Sequence, residues 1–391
     1  MLPCANSLML LTVILGFSRS ASAFTSYPDP TLAELVDWDG FVAVATMTEI
    51  HGKGRELTAD FRIECFLKQP ANAVETLKVR TNRKHTSGRR YLIHGVIKHG
   101  ELQERIDIGP VMNDRRVDYI HSLPHPDDDR LTRLQFYLHW LEDDDEIIAE
   151  DARLECSDIV EGEPALLLKV VQCAPVDRLR TAIMPGKGAA QNSLYGVVLG
   201  LRGNPVDCAQ LESLIYDESA PDFSLGLDGV ITGYLLLKGE EGLGNIEQSH
   251  MGGTDRSFAQ CYSAMRAIRF LWNLNSDQFT KERLKQAMRL MLNHPHMPDL
   301  AVADLARWKD WTVLDRVKEL CHTTTEEHGA RKAVRMTACI YFDAAMKSSP
   351  DDNVADKRRI ARAQEAYDDL KELDAEAVKR YEKYFRLRPS N

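Results

Sequence analysis

The stretch Leu57-Thr58-Ala59-Asp60-Phe61-Arg62-Ile63-Glu64-Cys65 alternates apolar and polar residues at every position. Successive side chains on a strand point to opposite faces, so it reads as a strand with one wet face. Upstream, Phe41-Val42-Ala43-Val44-Ala45-Thr46-Met47 is almost wholly apolar. That suits a strand buried on both faces. His51-Gly52-Lys53-Gly54 lies between them and has the glycines that a hairpin turn needs. Downstream, Leu77 and Val79 alternate with Lys78 and Arg80, and Tyr91 to Lys98 with Gln103 to Ile108 make a second hairpin around Gly100. A short helix at Leu32 to Val36 comes first. Residues 24–126 are therefore expected to form a small antiparallel β barrel or sandwich. Asn113 to Asp129, with Pro124, Pro126 and three successive Asp, reads as a linker.

After Asp129 the period becomes helical. Leu131, Leu134, Leu138 and Leu141 share one face, and Leu227, Val230, Ile231, Tyr234 and Leu235 keep the i, i+3, i+4, i+7, i+8 spacing. The spacing predicts helix pairs at 130–141 with 145–157, 188–201 with 205–216, and 225–237 with 239–250. Further pairs fall at 256–273 with 280–293 and 298–308 with 312–323, and a longer set runs over 328–386. Asn204-Pro205 is a start signal, and Thr312 with Asp315 resembles a capping box. The segment 160–184 reads either as a degenerate pair or as a loop-rich insertion. No pair can bury its apolar stripe alone, so the pairs must stack. The fold class is α+β multidomain: the β domain, then an all-α, HEAT-like α-α superhelix over 127–391.

A chain of 391 residues is too long for one simple core, which fits this division. Its formal net charge of −10 argues against nucleic acid, which needs a dense basic face. Residues 24–126 balance at 14 basic and 14 acidic side chains, while 127–391 carry a net −11. The acid excess thus belongs to the helical region. The β region has a basic cluster at Arg83-Lys84-His85 and Arg89-Arg90. Leu8 to Phe17 is an apolar run, and Ala21-Ser22-Ala23 follows as a small-x-small cleavage pattern. Residues 1–23 are therefore expected to be a signal peptide, with a periplasmic or extracellular mature chain and no membrane span in it. Cleavage would remove Cys4 and leave seven dispersed cysteines without a CxxC pair, unlike a disulfide framework or a zinc knuckle.

His121, His125 and Asp127 to Asp129 form the most metal-like group, since imidazole and carboxylate can share a divalent ion. The competing reading is a solvated linker with acids at a helix start, and it is favoured because no matching fourth ligand is visible. His294-Pro295-His296 suits a turn better than a two-ligand face. Met184-Pro185-Gly186-Lys187-Gly188 lacks the spacing of a phosphate loop, and neither GxSxG nor HExxH occurs. Glu142 to Glu146 reads as a solvated turn between helices. Arg307-Trp308-Lys309-Asp310-Trp311 reads as helix-pair packing before it reads as a binding anchor. No catalytic, cofactor-binding or metal residue is assigned from the sequence.

Four stretches, Thr31 to Glu49, Arg133 to Glu155, Gly226 to Leu243 and Asp299 to Leu320, carry a family resemblance. With them the chain resembles an uncharacterised family of exported bacterial proteins with a small N-terminal β domain and C-terminal HEAT-like repeats. The resemblance implies an OB- or netrin-like β domain and no activity. That family has a cysteine pair just after the leader, where this chain has Phe24-Thr25-Ser26-Tyr27. Without that cysteine, a netrin-type inhibitor role has no residue to carry it. The expected function is an exported, non-enzymatic scaffold or interaction protein whose partner is another protein of the cell envelope. The alternative is an enzyme or metal-binding protein whose site lies where the β domain meets the first helices, at His121 and His125.

Overall fold

The computed structural model describes residues 31–37, 40–52, 57–68, 75–82, 84–98, 101–183, 189–217, 226–252, 257–323, 328–348 and 354–386. The expected signal peptide, Phe24 to Tyr27, Arg83, Gly100 and Met184 to Gly188 lie outside them. Those up to Leu179 form one compact unit and those from Arg180 form another.

In the first unit, five strands run β1 (Gly40–His51), β2 (Thr58–Lys68), β3 (Thr76–Arg80), β4 (Arg90–Lys98) and β5 (Glu101–Val111). They form one antiparallel sheet in the order β3-β2-β1-β4-β5. The doubly apolar strand β1 takes the centre, as its composition requires. One of its faces sends Phe41, Ala43, Ala45 and Met47 into a core with Phe61, Val79, Tyr91 and Ile93. Leu77 of β3 and Ile106, Ile108 and Val111 of β5 pack on the same cluster, so the sheet curls over its own apolar face. No ladder joins β3 to β5 among the described residues.

The other face sends Val42 and Val44 against helices. These are α1 (Leu32–Asp37), α2 (Asp114–Ser122), α3 (Arg130–His139) and α4 (Glu146–Gly162). Leu32, Leu35, Tyr119, Ile120 and Ile148 complete that core. The linker read over Asn113 to Asp129 is thus corrected. Asn113 caps α2 by accepting from Arg116 N, and Tyr119 and Ile120 are buried under the sheet. The prolines end that helix and do not exclude it.

Two acids on the buried side of α4 hold its neighbours. Asp151 accepts from Leu32 N and Ala33 N at the start of α1, and from the Tyr119 hydroxyl at 2.7 Å. Glu155, one turn on, accepts from Thr31 Oγ1 at 2.7 Å and from Arg133 at 3.1 Å. Burial raises Asp151 from 3.8 to about 6, against the pull of the Tyr119 hydrogen bond. The folded state therefore binds this proton more tightly than the unfolded chain does. Its contribution is fully present below pH ~4 and is lost as pH rises through ~6. Asp151→Asn keeps an acceptor for the helix start and removes the titration. Relative to that variant, the wild type is expected to lose about 3 kcal/mol between pH 4 and 7 in urea unfolding. A difference independent of pH would contradict this.

Short helices α5 (Leu167–Val170) and α6 (Val176–Ala182) resolve the ambiguous 160–184 segment. The second unit continues with α7 (Ala189–Arg202), α8 (Pro205–Ile215), α9 (Leu227–Ile246), α10 (Phe258–Leu274) and α11 (Lys281–Leu290). Next are α12 (Pro298–Arg307), α13 (Leu314–Thr323), α14 (His328–Lys347), α15 (Val354–Leu373) and α16 (Ala375–Tyr381). Asn204 and Asp207 close the capping box of α8. Helix α9 runs through the break expected between 237 and 239 as a kink. Gly239 sits there at φ +63°, a conformation L side chains rarely adopt.

The packing of α7 on α9 rests on two glycine pairs four residues apart. Gly196 and Gly200 of α7 face Gly229 and Gly233 of α9. A Cβ added to Gly196 would lie 2.6 Å from Gly229 O, and one on any of the other three would fall closer still to facing backbone. No helix among the described residues is long and apolar enough to cross a membrane.

Candidate functional site

The residues singled out at the β-to-helix passage are occupied by local structure. His121 and His125 are exposed. Asp128 accepts from His125 N at 2.8 Å, and Asp127 N donates to His125 Nδ1 at 3.2 Å. Asp129 caps α3, accepting from Leu131 N and Thr132 N. The Thr132 hydroxyl and amide hold its carboxyl below the ordinary range. The group is a turn with a helix cap, and it does not converge on a cation.

The acid run Glu142 to Glu146 differs from its reading as a solvated turn. Asp145 caps α4, and Arg116 Nε lies 2.8 Å from one of its oxygens. Arg115 Nε donates to Asp143 at 3.1 Å, and Arg178 donates to Asp144 at 3.1 Å. Burial would raise Asp145, but the bonds from Arg116 and Asn113 outweigh it and hold the carboxyl low. This turn is a clamp on α2.

The same device recurs in the second unit, where an arginine from an earlier helix reaches a buried or capping aspartate. Arg180 pairs with Asp207 at 2.7 Å, Arg269 with Asp304 at 2.5 Å, Arg289 with Asp310 at 2.7 Å and Arg335 with Asp374 at 2.9 Å. Asp310 and Asp374 are also helix caps, and Asp207 is the third-position acid of the α8 capping box. Burial alone would raise Asp310, yet Arg289 and Thr312 hold it low. In the Arg307 to Trp311 stretch, Trp308 stacks on Trp272 at 4.2 Å and Trp311 meets Tyr341 edge-on at 5.2 Å. That stretch is packing.

Of the buried histidines, His294 takes a bond from His296 N at 3.2 Å, a turn contact. Ser249 Oγ lies 2.7 Å from His250 Nδ1, the spacing of a nucleophile and its base. It also lies 2.7 Å from Asn245 O, the ordinary back-bond of a helical serine. None of the seven described cysteines is in a disulfide, and Cys156, Cys261, Cys321 and Cys339 are buried. Burial pushes the Cys321 and Cys339 thiols up to about 12, which makes them inert.

On the sheet, the basic loop is partly tied down. Arg90 pairs with Glu64 at 2.8 Å and with Asp114 at 2.5 Å, while Lys84 and Arg89 stay exposed. Thr86 N donates to Tyr91 Oη at 2.8 Å and Ser87 Oγ donates to Thr48 O at 2.6 Å. The loop therefore presents its charges from a fixed backbone.

One group of metal-ligating side chains converges among the described residues: Glu49 and His51 of β1 with Asp60 of β2, ligand atoms within 4.8 Å of one another. His51 Nε2 stands 2.8 Å from Asp60 Oδ2, and Lys78 Nζ of β3 stands 3.8 Å from Asp60 Oδ1. Sequence reasoning missed this group because Asp60 meets Glu49 only through strand register. The one local signal was the i, i+2 spacing of Glu49 and His51, which a strand places on one face. No family model matches the chain, and neither does any curated protein or solved structure.

Proposed function

We propose that the protein is an exported, non-enzymatic interaction protein, with a HEAT-like α-α superhelix as its main binding surface and another envelope protein as its partner. The observation that carries this reading is the use made of ionisable groups. Buried carboxylates such as Asp207, Asp304 and Asp310 are matched to arginines at helix joints, so they fix geometry and are not poised for chemistry. Stacking of elements two apart in sequence, α7 on α9 and α12 on α14, supports a superhelical array. The net −11 over residues 127–391 favours a basic partner and a salt-sensitive encounter. The Lys84 to Arg89 loop offers a second, basic contact on the sheet. Export rests on the Leu8 to Phe17 run and Ala21-Ser22-Ala23. No geometric observation favours an enzyme at His121 and His125. The test is affinity capture from a cell-envelope fraction with the full chain as bait. A partner recovered at low salt and released at high salt is expected; an empty low-salt eluate would overturn the proposal.

A further inference from the structure

We propose that Glu49, His51 and Asp60 bind one divalent first-row transition ion of the zinc class on the face of the sheet. Met47 of β1 is fully buried in the sheet's own core and pairs with Phe61. The register then slips between Met47 and Glu49, so Glu49 pairs with Asp60. This bulge turns Glu49 and His51 away from the core side and onto the face that carries Asp60. Such re-aiming of side chains is what a bulge accomplishes. It is held in place on both sides: Thr48 Oγ1 donates to Asp60 O at 3.0 Å, Ser87 Oγ donates to Thr48 O, and Gly88 N donates to Met47 O at 2.7 Å.

The donor set then fits the ion. Two neighbouring ligands on a tetrahedral zinc ion with bonds of about 2.1 Å lie about 3.4 Å apart. His51 Nε2 and Asp60 Oδ2 are 2.8 Å apart, so the pair has to open by about half an ångström. Glu49 Oε1 lies 3.9 Å from the other ring nitrogen, Nδ1, so its exposed side chain swings toward the Nε2 side to complete three ligands. One imidazole with two carboxylates suits zinc or nickel better than calcium, which takes oxygen alone. The side chains are partly exposed, leaving room for water in the remaining positions. Lys78 is the competitor, because its ammonium approaches the other Asp60 oxygen.

The probe is ZnCl2 added to chelator-treated full chain in a calorimeter, with His51→Ala, Asp60→Asn and Lys78→Ala variants alongside. The expected result is one binding event in the wild type, weakened at least tenfold in His51→Ala and in Asp60→Asn. Lys78→Ala is expected to bind several-fold more tightly, since it frees an Asp60 oxygen and removes a positive charge. A purely structural cross-strand ion pair would not produce that gain. Absence of zinc binding in the wild type overturns the proposal, as does wild-type affinity in either ligand variant. Should a variant fail to fold, Co2+ added to the wild type gives the second readout by NMR. Paramagnetic shifts at residues 49–51 and 58–60 are expected, and their absence there overturns the site.

Discussion

Gly233→Val is expected to cost the second compact unit more than about 3 kcal/mol, or to prevent its folding. The reason is backbone against backbone. A Cβ at Gly233 falls onto Gly196 O of the facing helix, well inside any real contact. A flexible side chain could swing aside, but a helix carbonyl cannot. The α7 and α9 axes would have to separate, which opens the packing of Tyr195, Val198, Ile231 and Leu235, all fully buried. The control is Gly244→Ala, also in α9, where an added Cβ meets nothing within 4 Å. There alanine is expected to be neutral or to stabilise by up to about 1 kcal/mol through helix propensity. Urea unfolding of the two variants beside the wild type reads both effects. Equal midpoints for Gly233→Val and the wild type would contradict the packing described.

Asp304→Ala is expected to cost about 3 kcal/mol. Asp304 is 0% exposed and accepts from Arg269 Nε on one oxygen and Arg307 Nη1 at 2.7 Å on the other. Removing it leaves Arg269, itself mostly buried over the Tyr262 ring, facing a hole where its counter-charge stood. That guanidinium then keeps only the electrostatic pull of Asp299, and losing the partner it is bonded to is the condition in which breaking a buried pair is expensive. Asp304→Asn keeps an acceptor and is expected to lose less. Pairing Asp304→Leu with Arg269→Met is expected to recover most of the loss, because both charges go together. A double variant no more stable than Asp304→Ala would show that the joint acts by some means other than charge pairing.

These two expectations rest on features of different legibility. Alternation at Leu57 to Cys65 and the unbroken run at Phe41 to Met47 disclosed one strand with a wet face and one buried on both faces. Stripes such as Leu227 to Leu235 disclosed the helices, and Asn204-Pro205 marked a start that the capping box bears out. Helix α2 was hidden because its apolar residues are few and Pro124 and Pro126 drew the eye past Tyr119 and Ile120. The strand order was hidden because strand period says nothing about which edges meet. The Arg–Asp joints span 27, 35, 21 and 39 residues and have no local signal. The glycine pairs had one, the repeated four-residue spacing in Gly196 to Gly200 and Gly229 to Gly233, where only small residues permit backbones to touch. The metal-ligating group needed the bulge and the register, neither of which composition reveals.

The same contrast bears on function. Acids that read as solvated at Asp143 to Asp145 are bound to Arg115, Arg116 and Arg178, so charge counted along a chain overstates what is free to meet a partner. On the proposed reading, what remains for recognition is the exposed surface of the helices within residues 189–386. The most direct test of that claim is amide hydrogen exchange of the full chain, free and in complex with the protein captured from the envelope. Slowed exchange on helices within residues 189–386, reversed as salt dissociates the complex, is the predicted result. Unchanged exchange throughout those helices would contradict it.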